Sequence, residues 1–184
     1  MSAAKAEPMH GLRGEQVVCP TPEEAARVLA ARLAAHLGQR LAVVSTAHLA
    51  LSGGSSAQLL GAALSAGSAL TAAQWSRIHV WMVDERCVPS DDPRLNFHLV
   101  REALLAGTPL PSANLHPMPV LQANGARHYE AAVQAALDER PESEDRRLDA
   151  VVLGMGVDGH TASLFPESPA LDERKRLFVL NDGD

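Results

Sequence analysis

Apolar residues recur every three or four positions from residue 22 to residue 38, a spacing that predicts an amphipathic helix. Thr21 can cap this helix, Pro22 suits its first turn, and Glu24 stands where a capping box places a carboxylate. Gly38 is a typical terminator. The face expected to pack inward consists of Ala25, Val28, Leu29, Leu33 and Leu37.

Short apolar and β-branched runs then alternate with helical segments. Strands are predicted at residues 47–51, 78–83, 148–153 and 177–180, and helices at residues 57–64, 92–105 and 126–138. Because strands that alternate with helices favour a parallel sheet, the expected fold is α/β, a mostly parallel Rossmann-like sheet with helices on both faces. One domain is expected over residues 1–184.

Composition and charge narrow the function classes. Aromatic residues make up 3% of the chain, which disfavours a base-stacking surface, and 16 Lys and Arg against 22 Asp and Glu give a net charge of −6. Without a dense basic run, nucleic acid is not an expected partner. No apolar run approaches the roughly 18 residues of a membrane span, and residues 1–8 lack a signal-peptide core, so we expect no membrane partner and a cytoplasmic location.

The cysteines and histidines give no metal-site pattern. Cys19 and Cys87 are too few and too far apart for a disulfide framework or a zinc site, and both are expected to be reduced and structural, Cys87 as a small buried group. His79 in a predicted strand and His98 in a predicted helix are interpreted as packed or exposed side chains. His116 has no assigned role. We therefore expect no metal ion.

Ligands of parallel α/β sheets bind beyond the carboxyl ends of the strands, and three segments with unusual chemistry follow predicted strands. The first contains Ser52, Gly53, Gly54 and Ser55. Glycines allow a close backbone approach, and the N–H groups at the start of the following helix can hold an anion. This segment is predicted to seat a phosphate; the alternative is a plain strand-to-helix turn.

The second segment places three charged residues directly after an apolar strand. Arg86 can clamp a phosphate or an oxyanion through two hydrogen bonds. Asp84 is expected at the site, with a turn cap as the alternative, and Glu85 is interpreted as a solvated side chain.

The third segment, residues 154–161, presents an acid and an imidazole two residues apart in a glycine-rich turn, where we expect proton chemistry. Its spacing also matches the G-x-G-x-x-G dinucleotide fingerprint. We reject that interpretation because Pro166 and Pro169 leave no room for the long helix that the fingerprint requires. The first segment lacks the Gly-Lys-Ser/Thr ending of a nucleoside-triphosphate loop, so a sugar phosphate is the expected anion.

Taken together, residues 49–55, 83–89 and 153–166 resemble the 6-phosphogluconolactonases in order and in spacing. Residues 75–89 and 114–119 look especially like the lactonase domain of the bifunctional hexose-6-phosphate dehydrogenases. The resemblance covers the chain from about Val17 to its end. It implies hydrolysis of 6-phospho-D-glucono-1,5-lactone without a metal or organic cofactor, by an enzyme expected to be a monomer.

The resemblance and the residue chemistry together assign roles within the three segments. His160 is the expected general base, and Asp158 orients or polarises it. Backbone N–H groups of the glycine turn or Arg86 are candidates to stabilise the oxyanion, so the role of Arg86 stays open between oxyanion and phosphate. The expected substrate-binding residues are Ser52, Gly53, Gly54, Ser55, Asp84, Arg86, Gly156 and Gly159.

Departures from the family pattern keep two other functions open. Ala57 stands where members commonly carry proline, and Leu95-Asn96 where they carry Ser-Asn. Complete members continue past the position of Asp184, so the carboxyl-terminal part of the fold, with basic residues near the phosphate, is expected to be absent. The alternatives are a glucosamine-6-phosphate deaminase or isomerase, which Arg86 and residues 161–166 disfavour, and a non-catalytic sugar-phosphate-binding homologue.

Overall fold

A computed structural model describes residues 14–67 and 69–181, which form a parallel sheet with helices. Two 3-10 turns lie at Ser112–Asn114 and Pro169–Asp172. The order along the chain is α1 (Pro22–Arg40), β1 (Ala47–Leu51), α2 (Ser55–Gly67), α3 (Ala72–Trp75), β2 (Ile78–Met82), α4 (Asn96–Leu105), β3 (Leu115–His116), α5 (Gly125–Asp138) and β4 (Ala150–Val152). The sheet order is β3-β2-β1-β4, and all paired strands are parallel. The predicted α/β fold is confirmed.

Strand β1 lies at the centre of the core. All five of its residues are buried, and it pairs with β2 from Ala47–Ile78 to Leu51–Met82. On its other edge, β4 pairs with residues 49–51. Burial on both faces explains why β1 is almost wholly apolar.

Helices cover the sheet in two groups. Alternate side chains of β2 point to opposite faces, so Trp81 faces away from Val80. On the Trp81 side lies α5. Its Tyr129 ring packs edge-on against Trp81, with ring centroids 5.8 Å apart, and the Tyr129 hydroxyl accepts a hydrogen bond from the Met82 N–H at 2.7 Å. The second group is α1, α2 and α4, with α2 packed against both of the others.

The predicted start of α1 is confirmed, and two of the five residues predicted to face inward, Leu33 and Leu37, are buried. The Glu24 N–H donates to Thr21 Oγ1 at 3.2 Å, and the helix continues past Gly38 to Arg40. Ala25 and Leu29 are exposed and Val28 is half-buried. Small alanines permit close helix packing, and hydrophobic periodicity underrates them. The buried residues are Ala26, Ala30, Leu33, Ala34 and Leu37.

Three further expectations are wrong. Helix α4 begins at Asn96 rather than at Asp92, because the Asp92 side chain binds Arg94 locally and residues 92–95 form turns. Residues 177–180 form no strand: Phe178 packs edge-on against Tyr129 at 4.9 Å instead of joining the sheet. Cys87 is exposed, since it follows the buried strand in an open loop.

At the amino end of the sheet, buried charges bind each other, although Arg140 Nε has no hydrogen-bond partner among the described residues. Asp149 precedes β4 and binds the fully buried Arg140, and its Oδ1 accepts from Arg40 Nε at 2.7 Å. The His48 N–H also donates to Asp149, at 2.7 Å. Burial alone raises the pKa of Asp149, but these hydrogen bonds outweigh it and lower the pKa.

A stack of aromatic rings lies beside this ion cluster on the Trp81 face. His79 Nδ1 and His116 Nε2 are 3.0 Å apart, and Trp81 Nε1 donates to His48 Nδ1 at 3.0 Å. Burial lowers the pKa of His48 and of His116 to about 4 and also lowers that of His79. His79 and His116 therefore have packing roles, as predicted for His79.

Among the described residues, 14–67 and 69–181, no helix is long and apolar enough to cross a membrane.

Candidate active site

Three loops leave the carboxyl ends of β1, β2 and β4 and meet at one end of the sheet. We call them the serine-glycine loop (residues 52–55), the acidic loop (residues 83–95) and the histidine loop (residues 153–168). Because the strands are parallel, the loops share one edge. Together they contain all ten residues predicted for the site.

The serine-glycine loop leads directly into the amino end of α2. Gly53 must be glycine, since a Cβ there would lie 2.1 Å from Asn96 Oδ1, and Gly54 has a φ of 82°. Ser55 is the first residue of α2 and is exposed. The Ser52 hydroxyl is buried and has no hydrogen-bond partner among the described residues. A turn leading into an exposed helix start has the geometry that favours an anion.

In the acidic loop, Glu85 is not solvated as predicted. Its Oε1 accepts the Asn96 and Arg86 N–H groups at 2.7 and 2.8 Å, and its Oε2 accepts the Phe97 N–H at 2.8 Å. Leu95, at the N-cap of α4, provides no side-chain hydrogen bond, so Glu85 caps the helix from a distance. Burial raises the pKa of Glu85, although the three hydrogen bonds act in the opposite direction.

The other two charged residues of the acidic loop differ in their partners. Asp84 Oδ2 accepts a hydrogen bond from Ser163 Oγ at 2.7 Å, and the Asp84 carbonyl accepts from Asn96 Nδ2 at 3.3 Å. Arg86 is exposed, and its guanidinium makes no hydrogen bond or ion pair within residues 14–67 and 69–181. Arg86 is therefore the cation of this loop that is available to an incoming anion.

The histidine loop holds an acid and an imidazole in direct contact. His160 Nδ1 lies 2.6 Å from Asp158 Oδ1, and the hydrogen bond from His160 lowers the pKa of Asp158. With Nδ1 donating its proton to the carboxylate, the lone pair of a neutral His160 is on Nε2. The imidazole also packs against the Phe165 ring, with centroids 4.6 Å apart. The pair has the form of an oriented general base.

Two glycines make this turn possible. A Cβ on Gly156 would lie 2.4 Å from the His160 ring and 2.7 Å from Asp158 Oδ1, and Gly159 has a φ of 88°. Beyond the turn, Thr161 forms antiparallel bridges with Met155 and Leu164, and no α-helix follows within the described part of the loop. The described residues thus lack the long helix that the dinucleotide fingerprint requires, as the two prolines predicted.

Contacts between the loops join them into one site. A Cβ on Gly154 would lie 4.0 Å from both Ser52 Cβ and Ser56 Oγ, which places the histidine loop against the serine-glycine loop. Asn96 lies between Gly53 and the Asp84 carbonyl. Residues 85, 96 and 163 were not predicted for the site. Leu95 has no side chain that can cap a helix. This feature of the sequence could have indicated that a residue elsewhere, here Glu85, caps α4.

The fold and the three loops define a parallel α/β protein whose candidate anion site and Asp158–His160 pair lie at the carboxyl ends of its strands. The sequence matches the glucosamine-6-phosphate isomerases/6-phosphogluconolactonase family over residues 20–183, and the chain belongs to that family. The resemblance found in the sequence is thus confirmed.

Individual relatives agree with this assignment. The chain is 38% identical over 178 residues to the GDH/6PGL endoplasmic bifunctional protein of Oryctolagus cuniculus, covering 92% of this chain and 21% of that protein. It is 40% identical over 139 residues to a 6-phosphogluconolactonase of Nostoc sp., covering 74% of this chain and 56% of the relative.

Solved structures give the same result for the fold. The chain superposes on a 6-phosphogluconolactonase from Shewanella baltica with a TM-score of 0.68 and 32% identity, covering 88% of this chain and 66% of the other. For the 6-phosphogluconolactonase from Trypanosoma cruzi, the TM-score is 0.69 at 27% identity. The match covers 86% of this chain and 65% of the other. The chain therefore spans about two thirds or less of these relatives.

Proposed function

We propose that this protein hydrolyses 6-phospho-D-glucono-1,5-lactone to 6-phospho-D-gluconate, the lactone-opening step of the oxidative pentose phosphate pathway. The observation that carries the proposal is the 2.6 Å contact between His160 Nδ1 and Asp158 Oδ1 in a loop that packs against the serine-glycine loop. The names of the relatives support the same reaction. The enzyme is then an ester hydrolase acting on a sugar-phosphate lactone.

His160 acts as the general base through Nε2. It removes a proton from water while the water oxygen bonds to the lactone carbonyl carbon, and negative charge develops on the carbonyl oxygen. The intermediate then collapses, the bond from this carbon to the ring oxygen breaks, and the His160 proton passes to that oxygen. Asp158 holds the imidazole in the required tautomer throughout.

The other predicted residues bind the two charged groups. The amino end of α2, with Ser52, Gly53, Gly54 and Ser55, is suited to the phosphate. The Gly156 and Gly159 N–H groups donate within the turn to the His160 and Gly156 carbonyls, at 2.8 and 3.0 Å, so the Arg86 guanidinium is the better candidate for the oxyanion. One carboxylate oxygen of Asp84 accepts a hydrogen bond from Ser163, and the other oxygen can accept a hydrogen bond from a sugar hydroxyl. A phosphate held away from the reacting carbon positions the lactone for attack.

The direct test follows hydrolysis of freshly generated lactone above its spontaneous rate, with wild type, His160→Ala and the exposed-histidine control His128→Ala. We expect acceleration by wild type and by the control, and a loss of about 10²- to 10⁴-fold in His160→Ala. Equal rates for His160→Ala and wild type would contradict the general-base role. Lactone binding without acceleration by a folded sample would favour a binding homologue, and ammonia release from glucosamine 6-phosphate would favour a deaminase.

The cytoplasmic location and the monomeric state stay predictions from the sequence. Fractionation of the producing cells and sedimentation of the purified chain test them.

A further inference from the structure

Ser163 connects the loop that carries the imidazole to the loop that carries the free arginine. It stands three residues after His160, and its Oγ donates to Asp84 Oδ2 at 2.7 Å across 79 positions of the chain. Arg86 follows Asp84 by two residues. The donor of this hydrogen bond thus lies three residues from His160, and its acceptor lies two residues from Arg86.

The histidine loop is also held on its other side. Asn181 Nδ2 donates to the Ser163 carbonyl at 2.5 Å, and Ser168 Oγ donates to Asn181 Oδ1 at 2.5 Å. Ser163 is therefore fixed at both its backbone and its side chain. Its hydroxyl is the part that points to the acidic loop.

Among the described residues, the hydrogen bond from Ser163 to Asp84 is the one that directly joins the histidine loop to the acidic loop, which carries Arg86. The hydrogen bonds of the turn itself, such as Gly156 N–H to the His160 carbonyl at 2.8 Å, stabilise its shape but not its placement. The acidic loop, by contrast, is fixed to α4 by Glu85. Because a displacement of about 1 Å in a catalytic group can reduce a rate by roughly 10²-fold, placement matters as much as shape.

We propose that Ser163 is a positioning residue for lactone hydrolysis, and that its hydrogen bond to Asp84 sets where His160 stands relative to Arg86. This inference rests on the proposed function. Asp84 then acts first as the acceptor that holds the histidine loop. Ser163 touches no reacting atom in this role.

The activity test uses Ser163→Ala, the conservative Ser163→Thr, and the exposed control Ser143→Ala. Loss of a hydrogen bond to a carboxylate predicts that Ser163→Ala lowers kcat about tenfold or more with a smaller change in KM. Ser163→Thr, which retains the hydroxyl, should restore most of kcat, and Ser143→Ala should match wild type. In a double-mutant cycle with Asp84→Ala, the double variant should be no slower than the slower single variant.

A second readout needs no turnover. Amide hydrogen exchange of Gly156, Gly159 and Leu164 should be at least several-fold faster in Ser163→Ala than in wild type and normal again in Ser163→Thr. Unchanged exchange, or independent effects of the Ser163 and Asp84 substitutions on kcat, would overturn the inference. If wild type hydrolyses no lactone, the proposed function fails, and the exchange rates still decide whether Ser163 holds the loop.

Discussion

The two ends of the sheet use charge in opposite ways. At the amino end, Asp149 and Arg140 have fully buried side chains and bind each other. At the carboxyl end, the exposed Arg86 guanidinium has no partner among the described residues, and the Nε2 lone pair of neutral His160 is not committed to Asp158. A buried charge must be paired to be tolerated, so each charge at the amino end is needed by its partner, while the uncommitted groups at the carboxyl end are available for chemistry.

This contrast predicts that removing a carboxylate affects different properties at the two ends. The largest effect is expected from Asp149→Ala, which leaves the buried Arg140 unpaired and should lower the free energy of unfolding by about 3–5 kcal/mol. Urea unfolding measures it. The lactonase activity of the molecules that remain folded should match wild type, and a stable Asp149→Ala protein would contradict the comparison.

Asp158→Asn is the matched change at the carboxyl end. Its contact with His160 is partly exposed, so stability should change by no more than about 0.5 kcal/mol. The kcat should fall about 10- to 100-fold, because the imidazole loses the charged partner that orients it. Steady-state kinetics and urea unfolding of the same preparation separate the two effects. A large stability loss without a kcat loss would reverse the assignment.

The amino end should also confer a pH dependence of stability. His48 and His116 have folded-state pKa values of about 4 against an ordinary value of 6.5, so the unfolded chain binds more protons between these limits. Stability is thus fully present above pH 6.5 and decreases as the pH falls toward 4. Since water reaches part of this cluster, we expect a loss of about 1–2 kcal/mol from pH 7.5 to 5.5. His128→Ala should leave this loss unchanged.

The smallest expected effect is that of Arg86→Ala. An exposed cation interacts with an anion through water, so kcat/KM should fall only about five- to tenfold, with no change in stability. The separate constants distinguish the two roles left open by the sequence. A rise in KM alone indicates phosphate binding, whereas a fall in kcat indicates oxyanion stabilisation. No change in either constant would remove Arg86 from the site.

Local signals in the sequence predicted the strands 47–51 and 78–83 closely, as well as the three loops that follow strands. These features depend on neighbours along the chain, such as the buried run of β1 or the short turn after β4. The buried face of α1 was predicted only in part. Leu33 and Leu37 are buried as expected, but the buried alanines were missed because α1 packs against α2, a partner that periodicity does not reveal. The Glu85 cap and the Asp84–Ser163 hydrogen bond were missed since they join residues 11 or more positions apart. The catalytic and binding roles stay predictions.

The strand order has a consequence for the sequence of events during synthesis. Among residues 14–67 and 69–181, β4 is the strand furthest along the chain, yet it lies beside β1, and the His48 N–H donates to Asp149 across 101 positions. Such distant pairings form slowly, and a chain emerging from the ribosome cannot make them early. The serine-glycine and acidic loops can thus assemble around α4 while the imidazole has not yet been translated. The imidazole therefore joins the other two loops only after they can already have folded.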